Sequence, residues 1–322
     1  MLDILTIGTA TRDAFLELSS GYTRGGEIRL PAGSKISVSD TTLSVGGGAA
    51  NAAVTFARGG LATGALVRVG DDTSGRDVRT VLAADGVRVF ALIDKKRDTA
   101  YGTILRSRAG ERTVLIHHGA AEAFTRAELL RAPRARWAYV APGAINPDCL
   151  IPFLAKISGQ GTRIAVNPSR RYLALPKSKL AKLLSLADVV IANREEASLM
   201  TGVPQKNLAG IFRKFDRLVP GIALLTDGAR GAHVSDGRTI WSAGIFKHKK
   251  IVDRTGAGDA FGSAFTLGII RGFPVAEAIR MGAANATSVI EVVGTQAGIL
   301  TGSQYAAPRW RNLRVIETKL SL

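Results

Sequence analysis

A single cysteine, Cys149, is all that 322 residues provide, which excludes an intramolecular disulfide and any metal cage built on thiolates. The glycine signatures of the commonest nucleotide folds are missing too. Neither Gly-x-x-x-x-Gly-Lys-Ser/Thr nor Gly-x-Gly-x-x-Gly occurs, so P-loop and Rossmann readings lose their main support. Ser-His-Asp hydrolysis has no Gly-x-Ser-x-Gly elbow to rest on. The four histidines, His117, His118, His233 and His248, lack metal-ligand spacing and read as loop or surface residues. Of these, the His117-His118 pair ends a candidate β segment and is the best placed to touch a ligand. No apolar run approaches the roughly 20 residues that cross a bilayer. Met1-Leu2-Asp3-Ile4-Leu5 also lacks the basic start and apolar core of a signal peptide. The expectation is a soluble, cytoplasmic protein with no membrane partner.

Negative charge is scarce as well. Forty-three Lys and Arg against 26 Asp and Glu leave a formal charge of +17, and a field of that sign attracts phosphate and nucleic acid alike. The basic residues are nevertheless spread along the chain, with short clusters at Lys95-Lys96-Arg97, 131–136 and 247–250. No aromatic residues alternate with them and no zinc-finger spacing appears. A solvated basic surface is the default reading. A non-catalytic nucleic-acid-binding protein stands as the alternative from a different class.

What is present is an α/β pattern. Apolar runs at Leu2–Gly8, 62–70, 137–141, 163–167, 188–192 and Ile222–Thr226 read as buried strands. Helical periodicity lies between them at 54–61, 75–86, 147–158, 178–185 and Arg194–Thr201. Such alternation predicts a mostly parallel sheet with helices on both faces. Two stretches depart from it. Residues 14–43 are rich in Gly, Ser and Thr, with β-like pieces at 27–30 and 35–38. Residues 99–116 have the look of a hairpin, 101–106 and 113–116 joined around Arg108-Ala109-Gly110. Both segments are expected to form a small β-sheet that covers the main body as a lid; surface hairpins with no moving part are the alternative.

The most informative segment is Asp253-Arg254-Thr255-Gly256-Ala257-Gly258-Asp259-Ala260-Phe261. Apolar residues at helical spacing follow it, so Gly256, Ala257 and Gly258 should stand at a helix start. Backbone N–H groups there lack intrahelical acceptors, and the helix dipole favours negative charge. An amide-lined turn ending in a carboxylate suits phosphoryl transfer: the amides hold the moving charge and Asp259 takes a proton from an attacking hydroxyl. The competing reading is a glycine-rich turn with a capping Asp. A second run, Gly46-Gly47-Gly48-Ala49-Ala50-Asn51, brings backbone close to something small and offers Asn51 as donor and acceptor for a polyol. Val69-Gly70-Asp71-Asp72 reads as a strand followed by an acidic turn.

Taken in order, these motifs resemble the PfkB, or ribokinase-like, family of carbohydrate and nucleoside kinases. Asp13, Gly46-Gly47 through Asn51, Val69 through Asp72, Asn167-Pro168, Asn193-Arg194-Glu195-Glu196, Thr226 through Gly231 and Asp253 through Asp259 carry the resemblance over nearly the whole chain. It implies one PfkB-like kinase domain over 1–322, with a lid from about 14–43 and 99–116. It also implies ATP-dependent transfer of the γ-phosphate to a hydroxyl of a small sugar, a pentose or related ketose, with a nucleoside kinase as the alternative. Under it Asp259 is the base, and Gly256, Ala257 and Gly258 are the anion hole. Asn193 and Glu196 position magnesium and phosphate largely through water. Thr226, Gly228 and Gly231 lie beside the ATP phosphates and ribose, and Asn285 beside the adenine, where tight packing of a small-residue helix is the other reading. Asp13, Gly47, Gly48 and Asn51 bind the sugar, although Asp13 also reads as a turn-capping residue. Asp253 marks a potassium site used by several members. A homodimer through the lid is expected from the same resemblance.

Some residues depart from the pattern. Gly48 stands where ribokinases often carry Lys, and Pro142-Gly143 where they place an acid, which puts D-ribose in doubt. Arg254 replaces a smaller residue, either facing solvent or adding charge near the nucleotide. Arg170-Arg171 follow Asn167-Pro168-Ser169, at the surface or toward an anionic substrate.

Overall fold

The computed structural model describes residues 1–24, 27–107 and 112–320. Its centre is a ten-stranded sheet. Across it run Val315–Lys319, Thr239–Ala243, Ala232–Ser235, Ile222–Thr226, Val189–Asn193, Arg163–Val166, Ala135–Ala141, Leu2–Gly8, Thr63–Gly70 and Arg88–Asp94. Neighbours from Ile222–Thr226 to Arg88–Asp94 are parallel, and the three strands beyond Ile222–Thr226 are antiparallel. The period-two alternation of a strand divides its residues between two cores. In Ala135–Ala141, Trp137, Tyr139 and Ala141 enter one core with the helices Gly48–Arg58, Ala257–Ile270 and Val275–Val289. Ala138 and Val140 enter the other, with Pro147–Gly159, Lys177–Ser185 and Leu208–Phe215. Both faces of the sheet are therefore covered, as the near-continuous apolar runs require.

The small sheet exists, with other boundaries than the composition indicated. Its order is Val38–Gly46, Thr11–Leu18, Tyr101–Ser107, Arg112–His117. The 35–38 piece contributes only Val38, where a nine-residue strand begins, and 27–30 reduces to a two-residue ladder with Thr23–Arg24. The stretch 14–43 thus starts three residues too late and includes an irregular middle. Thr11–Leu18 was hidden because Arg12, Asp13 and Glu17 break its alternation, although Asp13 points into covered space. The proposed turn at 108–110 lies outside the described residues. The strands Arg88–Asp94, Ala232–Ser235, Thr239–Ala243 and Val315–Lys319 and the helix Leu208–Phe215 are additions to the sequence reading; Arg88–Asp94 and Val315–Lys319 are edge strands of modest burial, which weakens their apolar signal.

Candidate active site

Loops that leave the carboxyl ends of the parallel strands emerge side by side, because Gly8 pairs with Ala141 and Asn193 with Thr226 in register. Open α/β sheets bind their ligands at this end. Across it runs the Asp253–Asp259 segment. Asp253 Oδ1 accepts hydrogen bonds from the Thr255 backbone N–H (2.9 Å) and hydroxyl (2.7 Å), which turns the chain. Gly256 then adopts φ 79°, and an added Cβ would lie 2.9 Å from Thr295. Backbone conformation and neighbour both demand glycine there. The Ala257–Ile270 helix follows. Nothing among the described residues accepts the N–H of Gly258 or Asp259, and a Cβ on Gly258 would meet no atom within 4 Å. These donors face open space at the positive end of a helix.

Asp259 sits in that first turn, half-buried. Its Oδ2 accepts from Asn51 Nδ2 at 3.0 Å and its Oδ1 from Asn167 Nδ2 at 3.3 Å. Burial pushes its carboxyl above the ordinary carboxylate range, against the downward pull of the Asn51 hydrogen bond. Asn51 is held in turn. Its Oδ1 accepts from Thr295 Oγ1 (2.9 Å) and Gln296 Nε2 (3.2 Å), which fixes the amide with its NH₂ toward Asp259. Two distant asparagines thus hold one carboxylate, and a third segment, Thr295-Gln296, holds Asn51 in place. Asn167, Thr295 and Gln296 were not assigned roles from sequence. Asn167 lay within a motif, whereas Thr295-Gln296 carried no signal, since only packing brings them to Asn51.

Asp13 lies on a central strand of the small sheet, 7% exposed. Glycines make its room: Cβ atoms at Gly46 or Gly102 would stand 2.0 and 2.6 Å from its carboxylate oxygens. Burial raises its pKa from 3.8 to about 6, opposed by the Thr11 hydroxyl and Arg12. Asp13 is therefore a buried strand residue and not a turn cap. Gly47 and Gly48 open the Gly48–Arg58 helix beneath it. Gly47, at φ 95°, passes so close to Thr9 that a Cβ would be 2.6 Å from its carbonyl oxygen. Gly48 N–H donates to Thr9 Oγ1, and the next two amides donate to the Thr9 carbonyl. A Cβ on Gly48 would clash with Ala141 at 2.8 Å and reach within 3.7 Å of Asp259, so glycine keeps this approach to the carboxylate clear.

The remaining candidates separate. Asn193 and Glu196 form a reciprocal capping box: Asn193 Oδ1 accepts from the Glu196 N–H, and Glu196 Oε2 accepts from the Asn193 N–H, both at 2.8 Å. Glu196 still senses Asp259; burial, Glu195 and then Asp259 raise its pKa. Thr226 ends its strand beside Asn193. Gly228 (φ 57°) is open, while Gly231 (φ 96°) passes within 2.0 Å, for an added Cβ, of the Ala243 carbonyl oxygen. Asp227 between them is held by Arg230 and Arg194, which keep its carboxyl below the usual range. Asn285 is fully buried; it donates to the Ala260 carbonyl and accepts from the Leu300 N–H, both at 2.9 Å, the geometry of a packing tie. Asp253 Oδ2 is buried with no hydrogen-bond partner among the described residues. Arg254 is exposed on the rim. A separate cavity lined by Leu130, Arg134, Trp137, Phe153, Lys156 and Thr162 lies toward the opposite ends of the strands, away from this cluster.

This geometry can hold an anion at free amides next to a basic carboxylate. The model for the pfkB family carbohydrate kinases matches residues 3–301. The chain belongs to that family. It is an enzyme of the phosphotransferase class with an alcohol group as acceptor. Among its relatives, a nucleoside kinase from Methanothermobacter thermautotrophicus is 26% identical over 261 residues, 79% of this chain and 81% of that one. A 5-dehydro-2-deoxygluconokinase from Shouchella clausii is 26% identical over 298 residues, covering 83% and 86%. The structure of Arabidopsis thaliana ribokinase complexed with ribose and ATP superposes with a TM-score of 0.79 at 22% identity, over 96% of this chain and 99% of that one. The fold is ribokinase-like.

Proposed function

We propose that this kinase transfers the γ-phosphate of ATP to a hydroxyl of a small sugar, a pentose or related ketose, with Asp259 as the base. The observation that carries it is the Asp259 carboxylate, gripped by two amides and set beside unpaired N–H groups that face open space. Asp259 accepts the hydroxyl proton as the oxygen attacks, and the Gly258 and Asp259 amides, following Gly256 and Ala257, stabilise charge on the phosphoryl group. Asp13 accepts hydrogen bonds from sugar hydroxyls, Gly47 and Gly48 bring the backbone close, and the remaining Asn51 N–H helps orient the acceptor. Thr226, Gly228 and Gly231 border the nucleotide, and the lid keeps water from the phosphoryl group.

The donor set suits magnesium carried on the nucleotide more than a protein cage. Among the described residues no three His, Cys, Asp or Glu side chains could hold a metal, whereas Glu196 keeps Oε1 outside its capping box and reaches an ion through water. Magnesium would neutralise phosphate charge there. The unpartnered, buried Asp253 Oδ2 suits potassium. The Arg112–His117 strand is exposed throughout, with Leu115 and Ile116 more than half exposed, which supports pairing of lid edges in a homodimer.

ADP release measured against free sugars and nucleosides tests the substrate class. Turnover confined to nucleosides would move the assignment to a nucleoside kinase, which the Methanothermobacter relative keeps in view. Salt-sensitive nucleic-acid binding with no ADP formed on any acceptor would remove the kinase reading. Dependence on K⁺ and Mg²⁺ is read in the same assay, and light scattering reads the dimer.

A further inference from the structure

Tyr139 lies under the proposed base, and neither the family motifs nor the reaction above uses it. It is fully buried, and its hydroxyl has no hydrogen-bond partner among the described residues. A buried hydroxyl without a partner is costly and uncommon, so its retention calls for a physical reason. Three elements enclose it. Phe56 of the Gly48–Arg58 helix meets its ring edge-on at 5.4 Å between centroids. Ile191 and Tyr139 both border Gly262, where a Cβ would stand 3.3 Å from the Tyr139 hydroxyl oxygen. Gly262 lies three residues beyond Asp259, so the phenol reaches the underside of the first turn of the Ala257–Ile270 helix. Asn167 stands near enough to the phenol for a hydrogen bond, although none with good geometry is formed here, and Asp259 acts on it through its charge.

The chemistry on the page is complementary. Asn167 Nδ2 donates to Asp259 Oδ1 across a long 3.3 Å, and the Asn167 side-chain oxygen accepts no hydrogen bond among the described residues. Tyr139 has a donor and needs an acceptor. The geometry points to Tyr139 as a positioning residue: its hydroxyl donates to the Asn167 side-chain oxygen when the site is filled and holds the Asn167 NH₂ against Asp259. A hydrogen bond received at the amide oxygen polarises the amide and strengthens the bond its NH₂ donates. Asp259 is thereby kept ionised despite its burial. Among the described residues Asp259 is the ionisable group whose field reaches Tyr139, and Glu196 is the one that senses Asp259 from the neighbouring helix start. No proton leaves Tyr139, whose phenol is pushed far above its usual range by burial and by Asp259.

This inference rests on Asp259 being the base, and the test keeps the two apart. Tyr139→Phe removes one oxygen and retains the ring. The expected result is a melting temperature equal to or above that of the parent, an unchanged KM for ATP, and kcat lower by about tenfold. The acid limb of the kcat–pH profile moves to higher pH, because Asp259 loses support for its charge. Asn167→Ala is expected to move the limb in the same direction, and adding Tyr139→Phe to it moves the limb no further. An unmoved acid limb in the stable Tyr139→Phe enzyme, or a full second shift in the double variant, overturns the inference. If Asp259→Asn retains turnover, the reading of Asp259 fails instead, whatever Tyr139 does.

Discussion

Two glycine-rich helix starts meet in this molecule, and they behave differently. Gly47-Gly48 opens one helix and Gly256-Ala257-Gly258 the other, and both glycines at the junctions have positive φ. At the first, Thr9 reaches in and takes three successive amides with its hydroxyl and carbonyl. At the second, the Gly258 and Asp259 amides find no acceptor among the described residues and open space lies over Gly258. A helix start is an anion site only while its donors are free. The first has its donors taken by Thr9, and the proposed phosphate site rests on the second.

The sharpest test of that contrast is Asp259→Asn, which should lower kcat by about a thousandfold or more while leaving ATP affinity within a few-fold. Steady-state kinetics and equilibrium nucleotide binding read both. Gly256→Val comes next. It forces a branched side chain into left-handed backbone and against Thr295, so phosphate binding and stability should fall together, the latter by roughly 1–3 kcal/mol. Asn51→Ala frees Asp259 on one side and strands the Thr295 and Gln296 donors, at about 1–3 kcal/mol of stability and about a tenfold loss in kcat. At the occupied start, Thr9→Val should cost about 1 kcal/mol in denaturant unfolding and change turnover less than about threefold. A large loss of ATP affinity in that variant would erase the distinction between the two starts.

Acidity gives another measure. Asp13 has a folded pKa of about 6 against 3.8 unfolded, so between these values the native state holds the proton that the unfolded state releases. Its contribution to stability is greatest below that window and declines as pH rises through about 6. On the proposed role of Asp13 as an acceptor of sugar hydroxyls in its ionised form, kcat/KM for sugar should fall as pH drops below about 6, and Asp13→Asn should abolish that limb along with most affinity for the acceptor.

Much of this was readable in the chain itself. The helix start after Gly256 and the buried parallel strands followed from glycine placement and uninterrupted apolar runs. The small sheet was read less well, because the buried Asp13 spoils the alternation of its strand. Glu196 and Asn193 cap their helix reciprocally, a contact that depends on the turn their side chains close and that leaves Glu196 Oε1 outside the box. Asn285 was legible as a polar residue on a small-residue helix, but its two backbone partners depend on where Ala260 and Leu300 come to rest.

Sequence alone determined the elements, the glycines that need unusual backbone angles, and the carboxylate following the turn, since each depends on neighbours a few residues away. Tertiary structure decided which amides stay free, which asparagines hold Asp259, and why Tyr139 lies buried below it. Those contacts join segments as many as 245 residues apart, as between Gln296 and Asn51. Local patterning carries no record of such distances; only the packing of the two cores and the lid sets them.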